Sequence, residues 1–185
     1  MTLFEYIAIA FSLIYSIALV RLLGGLPDAI RPGRIYWVHI VFVVTALLYA
    51  INAFWAFWSY NSVTWGYSSY IAALLTPTIQ YFLAAILIPG EPDEVLSWRD
   101  HYFSVRRRFF AGLCVLGLAG LVSNTVLVSM PLQHPARLGQ VGTLAIGVAG
   151  LLTSNPRVHA VLAVACLTAV VAFGIVVLAR PASLG

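Results

Sequence analysis

The side chains of this sequence best suited to chemistry are three histidines, His39, His101 and His159, and one carboxylate, Asp100. Imidazole and carboxylate groups are suitable ligands for zinc or iron. The spacing matches no metal motif, because the chain has no HExxH sequence and no histidine pair at positions i and i+4. The three histidines are therefore candidate metal ligands only if folding brings them together, and we predict no bound cofactor.

Other reaction classes have less support. All ten cationic residues are arginines, which excludes a lysine Schiff base or a lysine nucleophile. The sequence contains no GxSxG elbow, no GxxxxGK[ST] loop and no GxGxxG fingerprint. Glu5 is the one acidic residue inside a predicted span, and it lies at an outer end, which argues against a proton pump. The sequence therefore favours a protein that is not an enzyme.

The elements that must position these residues are long apolar stretches. Hydrophobic residues make up 62% of this chain, compared with roughly 45–50% in soluble domains. Charged residues make up 9%, compared with roughly 25%. A spanning helix needs about 20 apolar residues, so we predict an all-α, single-domain polytopic bundle over residues 1–185, with a marginal fifth span. The six predicted spans are Leu3–Leu23, Tyr36–Trp58, Tyr67–Ile88, Phe109–Met130, Leu138–Thr153 and Val158–Ala179.

The arginines predict the orientation of the bundle. Eight flank the first, third and fifth connections, while Arg137 and Arg180 lie on the opposite side. Connections rich in arginine face the cytoplasm, so both termini are predicted outside. This topology places His39, His101, His159 and Asp100 on the cytoplasmic side. It also accounts for the net charge of +4 without nucleic-acid binding.

The two halves of the chain differ in composition. Residues 1–110 hold 23 of the 24 aromatic residues and most polar side chains, whereas residues 111–185 are rich in glycine, alanine, leucine and valine. Small residues recur at helical spacing on the fifth and sixth spans, including Gly139, Gly147, Ala165 and Ala169. Such stripes let helices approach closely in lipid. They predict either internal packing or a homo-oligomer formed through helices four to six.

Polar side chains on the second and third spans form the candidate intramembrane site. An unsatisfied amide in hydrocarbon costs several kcal/mol, so Asn52 and Gln80 should face protein or water. Pro77 removes one backbone hydrogen bond and is expected to kink the third helix. The predicted ligand-binding residues are Tyr49, Asn52, Trp55, Thr76, Thr78 and Gln80, although the same groups could serve only as hydrogen-bonding contacts between helices.

The third connection predicts an amphipathic helix at the cytoplasmic interface, before the fourth span. Apolar residues recur there at spacings of three and four, from Val95 to Phe109. Basic residues near its end suit anionic lipid headgroups. The predicted lipid or partner surface consists of Trp98, His101, Arg106, Arg107 and Arg108.

Four segments resemble a group of small polytopic bacterial inner-membrane proteins: Ala18–Leu26, Tyr36–His39, Phe54–Trp58 and Asp100–Phe110. The resemblance covers roughly residues 10–115. It implies a location in the bacterial inner membrane and no particular activity.

These observations lead to one functional hypothesis and two alternatives. We predict a non-enzymatic inner-membrane protein that binds a small or lipophilic ligand, or a membrane partner. The first alternative is an oligomeric channel or small-solute transporter that uses the same polar stripes. The second is a haem- or metal-binding oxidoreductase that uses His39 and His159.

Overall fold

A computed structural model describes residues 2–131 and 133–178, and every regular element in that part of the chain is helical. Five helices are long and apolar enough to cross a membrane, which confirms the prediction of an all-helical membrane protein. The fifth helix has 17 residues and is about 25 Å long, short of the roughly 30 Å hydrocarbon core, so a sixth span is not established. The α-helices are α1 Leu3–Ala29, α2 Trp37–Ala56, α3 Tyr67–Leu87, α4 Trp98–Val128, α5 Ala136–Leu152 and α6 Pro156–Phe173.

Short helical turns continue or link these elements. Residues Phe57–Tyr60 extend α2 as a 3₁₀ turn, and Gly174–Leu178 extend α6 as a π-helix. A further 3₁₀ turn, Pro92–Glu94, lies between α3 and α4. Local sequence signals explain where several helices begin. Thr2 and Glu5 form a capping box at α1, and Asn155 caps α6 just before a proline.

The helices form a closed ring in the order α1, α3, α4, α5, α6, α2. The most extensive contacts join α4 to α5 and α3 to α4. Since α2 also contacts α3 and α4, it helps to fill the interior. Pro77 lies inside α3 and is buried, and the helix continues through it to Leu87.

The predicted interfacial helix is not a separate element. Its residues form the first turns of α4, which runs unbroken for 31 residues. No glycine or proline interrupts the chain between Trp98 and Ala111, so nothing in this segment breaks the helix. The apolar residues Trp98, Tyr102 and Phe109 are buried in the core. The amphipathic pattern therefore reports packing against the protein, and the predicted helix lying along the interface is not confirmed.

Glycines allow the close approach of α5 to α4. A Cβ atom at Gly147 would lie 2.6 Å from the Cys114 sulfur, and one at Gly150 would overlap the Phe110 ring. Gly147 belongs to the predicted small-residue stripe of α5, which therefore serves internal packing at that position. On α6, Ala165 and Ala169 face outward. The predicted homo-oligomer stays a prediction.

We expect Gly150→Ala to destabilise the protein by about 1–3 kcal/mol, because the added methyl group overpacks a contact with a fully buried ring. Gly142→Ala is the matched control on the same helix, since a Cβ atom there meets nothing within 4 Å. Denaturant unfolding in mild detergent, followed by circular dichroism, measures both. Equal stability of the two variants would contradict the packing role of Gly150.

The loops form two chemically different ends. The first, third and fifth connections lie together, since Trp98 Nε1 donates to Asp28 O (2.9 Å), Arg34 to Asp93 O (2.7 Å) and Arg106 to Thr153 O (2.7 Å). We call this the arginine-rich end, because eight of the nine arginines in the described residues lie at it. They are Arg21, Arg31, Arg34, Arg99, Arg106, Arg107, Arg108 and Arg157.

The opposite end joins the start of α1 to the second and fourth connections. The ring of Phe4 stacks on that of Phe57 at 5.3 Å, and the Tyr60 hydroxyl donates to Asn124 Oδ1 at 2.6 Å. Arg137 is the ninth arginine and lies at this end. The first, third and fifth connections, which the arginines predicted to share one side, therefore do lie at the same end of the bundle.

Candidate functional site

The two amides predicted to bind a ligand are hydrogen-bonded to neighbouring helices. Gln80 Nε2 on α3 donates to Ala46 O on α2 at 2.8 Å, and Asn52 Nδ2 on α2 donates to Val170 O on α6 at 3.0 Å. Such bonds satisfy donors that hydrocarbon cannot. In this arrangement both amides join helices.

The centre of the bundle holds a small void of about 30 Å³ lined by α2 to α6, with Tyr49 and Gln80 in its wall. This volume is enough for about one water molecule. The threonine hydroxyls in the wall donate to their own helices, Thr45 to Val41 O and Thr143 to Gly139 O.

The other predicted ligand-binding residues lie away from this void. Thr76 is half-buried, and Thr78 is exposed and donates to Leu74 O at 2.8 Å. Trp55 is 59% exposed, so it faces outward. The structure therefore does not bring the six predicted residues around one cavity.

A different cluster forms near the arginine-rich end, where aromatic rings and three histidines pack together. Each ring lies with its centroid within 6.3 Å of a neighbour. We call this cluster the histidine layer. Its members come from α2 or its N-cap, α4 and α6: Tyr36, His39, Phe42, Trp98, His101, Tyr102, Phe103, Phe109, Phe110 and His159.

His39 is the most unusual member of the layer. Its side chain is 0% exposed, and both ring nitrogens lack a hydrogen-bond partner. The ring stacks on Trp98 at 4.7 Å and 24° and meets the His101 ring edge-on at 5.9 Å. An unsatisfied buried polar group costs about 1–3 kcal/mol. His39 therefore weakens the fold unless something else satisfies it.

Tyr36 carries a second unsatisfied group in the histidine layer. Its hydroxyl is buried without a partner, and the residue is the N-cap of α2, three positions before His39. The ring lies 5.5 Å from that of Tyr102. Burial raises the pKa of the Tyr36 phenol above its ordinary value, against the opposing effect of the Arg99 charge. The phenol thus keeps its proton and can donate it in a hydrogen bond.

His159 and Tyr102 form a satisfied pair in the same layer. The Tyr102 hydroxyl lies 2.8 Å from His159 Nδ1, and His159 Nε2 lies 3.0 Å from Thr153 O. Because a carbonyl can only accept, Nε2 carries the hydrogen and Nδ1 accepts from Tyr102. This tautomer uses both nitrogens and leaves no lone pair for a metal.

His101 closes the end of α3. Its Nε2 lies 3.2 Å from Leu87 O and 3.3 Å from Ile86 O, while Arg21 Nε donates to Ile88 O at 2.9 Å. Cationic or donor side chains at this position satisfy the free carbonyls of a helix end. His101 also lines an open cleft of about 470 Å³ with Pro89, Gly90, Glu91, Glu94 and Val95.

The candidate metal ligands come together only in part. His39 and His101 are neighbours, whereas His159 is bonded to Tyr102. Over residues 2–131 and 133–178, no three histidine, cysteine or acidic side chains are arranged to hold a metal ion. The geometry therefore gives no support to a metal centre built from these histidines.

The predicted lipid or partner surface is divided. Trp98 is 0% exposed, so its place on that surface was wrong, because its ring fills the space against His39. Arg106 is half-buried and bonded to Thr153 O. Arg107 and Arg108 are exposed, and their role at lipid headgroups stays a prediction.

Sequence reasoning missed Tyr36 and Tyr102 as members of the site. The only local signal for Tyr36 is its position three residues before His39, at the start of α2. The pairing of Tyr102 with His159 spans 57 residues, and the sequence carries no signal for it.

No family model, curated protein or solved structure matches the chain. The resemblance to bacterial inner-membrane proteins thus gains no support from these comparisons. Any function must be argued from the chain's own geometry.

Proposed function

We propose that this protein binds a small lipophilic molecule in the histidine layer and carries out no reaction of its own. The observation that supports this proposal is His39, whose two ring nitrogens are buried without partners. A bound molecule with hydrogen-bonding groups would satisfy them and offset their cost. The layer otherwise offers ring faces, which suit an apolar ligand.

The chemistry of the layer favours binding over catalysis. Its described members are aromatic and imidazole rings, with neither a carboxylate nor a thiol among them. His159, the nearest candidate base, already accepts from Tyr102 and donates to Thr153 O. The central void of about 30 Å³ likewise favours a binder over a pore.

We expect a lipophilic molecule to co-purify with the protein and to be lost from the variant His39→Phe. Phenylalanine keeps a ring at this position and removes both nitrogens. Losing one or two buried hydrogen bonds should reduce retention at least about tenfold. The measurement is mass spectrometry of an organic extract, after purification in native nanodiscs formed by a styrene copolymer.

His134→Phe is the matched control, because His134 is exposed and lies at the opposite end of the bundle. It should retain the same molecules as the unmodified protein. Equal retention by His39→Phe would show that the histidine layer is not the binding site.

We further propose that the arginine-rich end faces the cytoplasm of a bacterial cell, with Arg107 and Arg108 near anionic lipid headgroups. The support is the concentration of arginine at one end of the bundle.

Cysteine labelling tests this orientation. We expect a membrane-impermeant maleimide added to intact bacterial cells to label Ser62→Cys, in the second connection, and to spare Leu96→Cys, in the third. Both positions are exposed. Permeabilised cells, in which both should react, provide the control. The reverse pattern in intact cells would invert the proposed orientation.

A further inference from the structure

We infer that the ligand is a neutral, planar ring with oxygen atoms on its edge, a quinone or the corresponding quinol, bound against His39. This inference rests on the proposed function and specifies the chemical class of its ligand.

Ring stacking defines the shape of the ligand. The imidazole of His39 lies face to face with Trp98 at 4.7 Å, while the rings of His101 and Tyr102 meet it edge-on at 5.9 and 6.3 Å. Aromatic rings favour offset stacking and edge contacts with other rings. A flat ring can take the place of the His101 ring and make a similar contact with His39, while Trp98 stays stacked on His39.

The unpartnered hydrogen-bonding atoms of His39 and Tyr36 indicate which polar atoms the edge of the ligand should carry. A neutral imidazole has one N–H donor and one acceptor nitrogen, and neither is used in His39. The Tyr36 hydroxyl, in the same histidine layer, is also unpartnered. A quinone carbonyl accepts from the imidazole N–H or the phenol, and a quinol hydroxyl donates to the free nitrogen. Both redox forms of such a ring therefore fit these groups.

The surroundings of His39 favour a neutral ligand. Two carboxylates, Glu91 and Glu94, line the cleft outside His101, while eight arginines lie at the same end of the bundle. The histidine layer itself consists of rings, with neither a carboxylate nor an arginine among them to pair with a buried ion. A neutral head group avoids the cost of bringing an unpaired charge out of water.

The space for a ligand is the cleft that His101 lines. This side chain contacts His39 and also lines the open cleft of about 470 Å³. Its Nε2 lies 3.2 and 3.3 Å from the carbonyl oxygens of Leu87 and Ile86. A ligand that displaces His101 would reach the His39 ring from this cleft.

The probe is a benzoquinone that carries two methoxy groups, a methyl group and a ten-carbon tail, added to the full chain in lipid nanodiscs. Quinones quench tryptophan fluorescence, and Trp98 stacks on His39. The signal of Trp98 is the difference between the unmodified protein and Trp98→Phe. We expect the quenching to saturate. The quinone concentration at half-maximal quenching should rise about tenfold in His39→Phe and about three- to tenfold in Tyr36→Phe, because each variant loses at least one hydrogen bond to the ligand.

Two competitors test the head group. Decylbenzene has the ring and tail without oxygens, and decylamine has a cationic head; neither should reverse the quenching. Reversal by decylbenzene would overturn the role of the oxygens, and reversal by decylamine would overturn the neutral head group. His134→Phe should behave as the unmodified protein does.

The outcomes separate this inference from the function on which it rests. Quenching that does not saturate, with a co-purifying molecule still lost from His39→Phe, would overturn the quinone class alone. Unchanged co-purification in His39→Phe would overturn both. If His39→Phe does not fold, Tyr36→Phe decides, because it removes only one oxygen atom.

Discussion

Replacing Arg137 by methionine should destabilise the protein by about 2–4 kcal/mol, since it removes hydrogen bonds from a charged group in the interior. The side chain is 6% exposed. Its guanidinium donates to Leu121 O (2.9 Å), Thr125 Oγ1 (2.8 Å) and Met130 O (2.7 Å), all near the end of α4. It thereby fastens the start of α5 to α4.

The position of this charge explains why it is tolerated. No carboxylate in the described residues pairs with Arg137, and its Nε has no partner. The C-terminal end of α4 supplies the compensating field, because the helix macrodipole is negative there. Methionine keeps the apolar stem of the side chain and loses both the charge and the donors.

Arg107→Met is the matched control, because it removes the same charge from an exposed position. It should change the free energy of unfolding by less than about 0.5 kcal/mol. Denaturant unfolding in detergent micelles compares the two variants. If Arg137→Met proves as stable as Arg107→Met, the proposed fastening of α5 to α4 is wrong.

Trp98→Ala should have the largest effect among aromatic substitutions, a loss of about 3–5 kcal/mol. Trp98 is among the largest fully buried side chains. It stacks on His39 and donates from Nε1 to Asp28 O at 2.9 Å, which ties α4 to the end of α1. Alanine leaves a cavity and removes the indole hydrogen bond to Asp28 O at that junction.

Two further variants make this prediction specific. Trp37 lies at the same end of the bundle but is half exposed, so Trp37→Ala should cost far less than Trp98→Ala. Trp98→Phe keeps a ring against His39 and should restore most of the stability. Equal losses for Trp37→Ala and Trp98→Ala in thermal unfolding would refute the role of Trp98 in the layer.

Features that depend on local composition could be predicted from the sequence. A helix in lipid satisfies its own backbone hydrogen bonds, so apolar length alone located five long helices and marked the fifth of the six as short. The spacing of arginine along the chain likewise determined which connections share an end. Both signals are local, and neither depends on how the helices pack.

Which polar groups are satisfied depends on tertiary packing. Asn52 and Gln80 look like ligand-binding residues in the sequence, yet each bonds to a carbonyl on a neighbouring helix. His39 is a candidate metal ligand in the sequence, yet the structure shows it buried with both ring nitrogens unpartnered. Hydrogen bonding between helices depends on how each helix is rotated about its axis and on the depth at which it lies, and the local sequence does not specify these quantities.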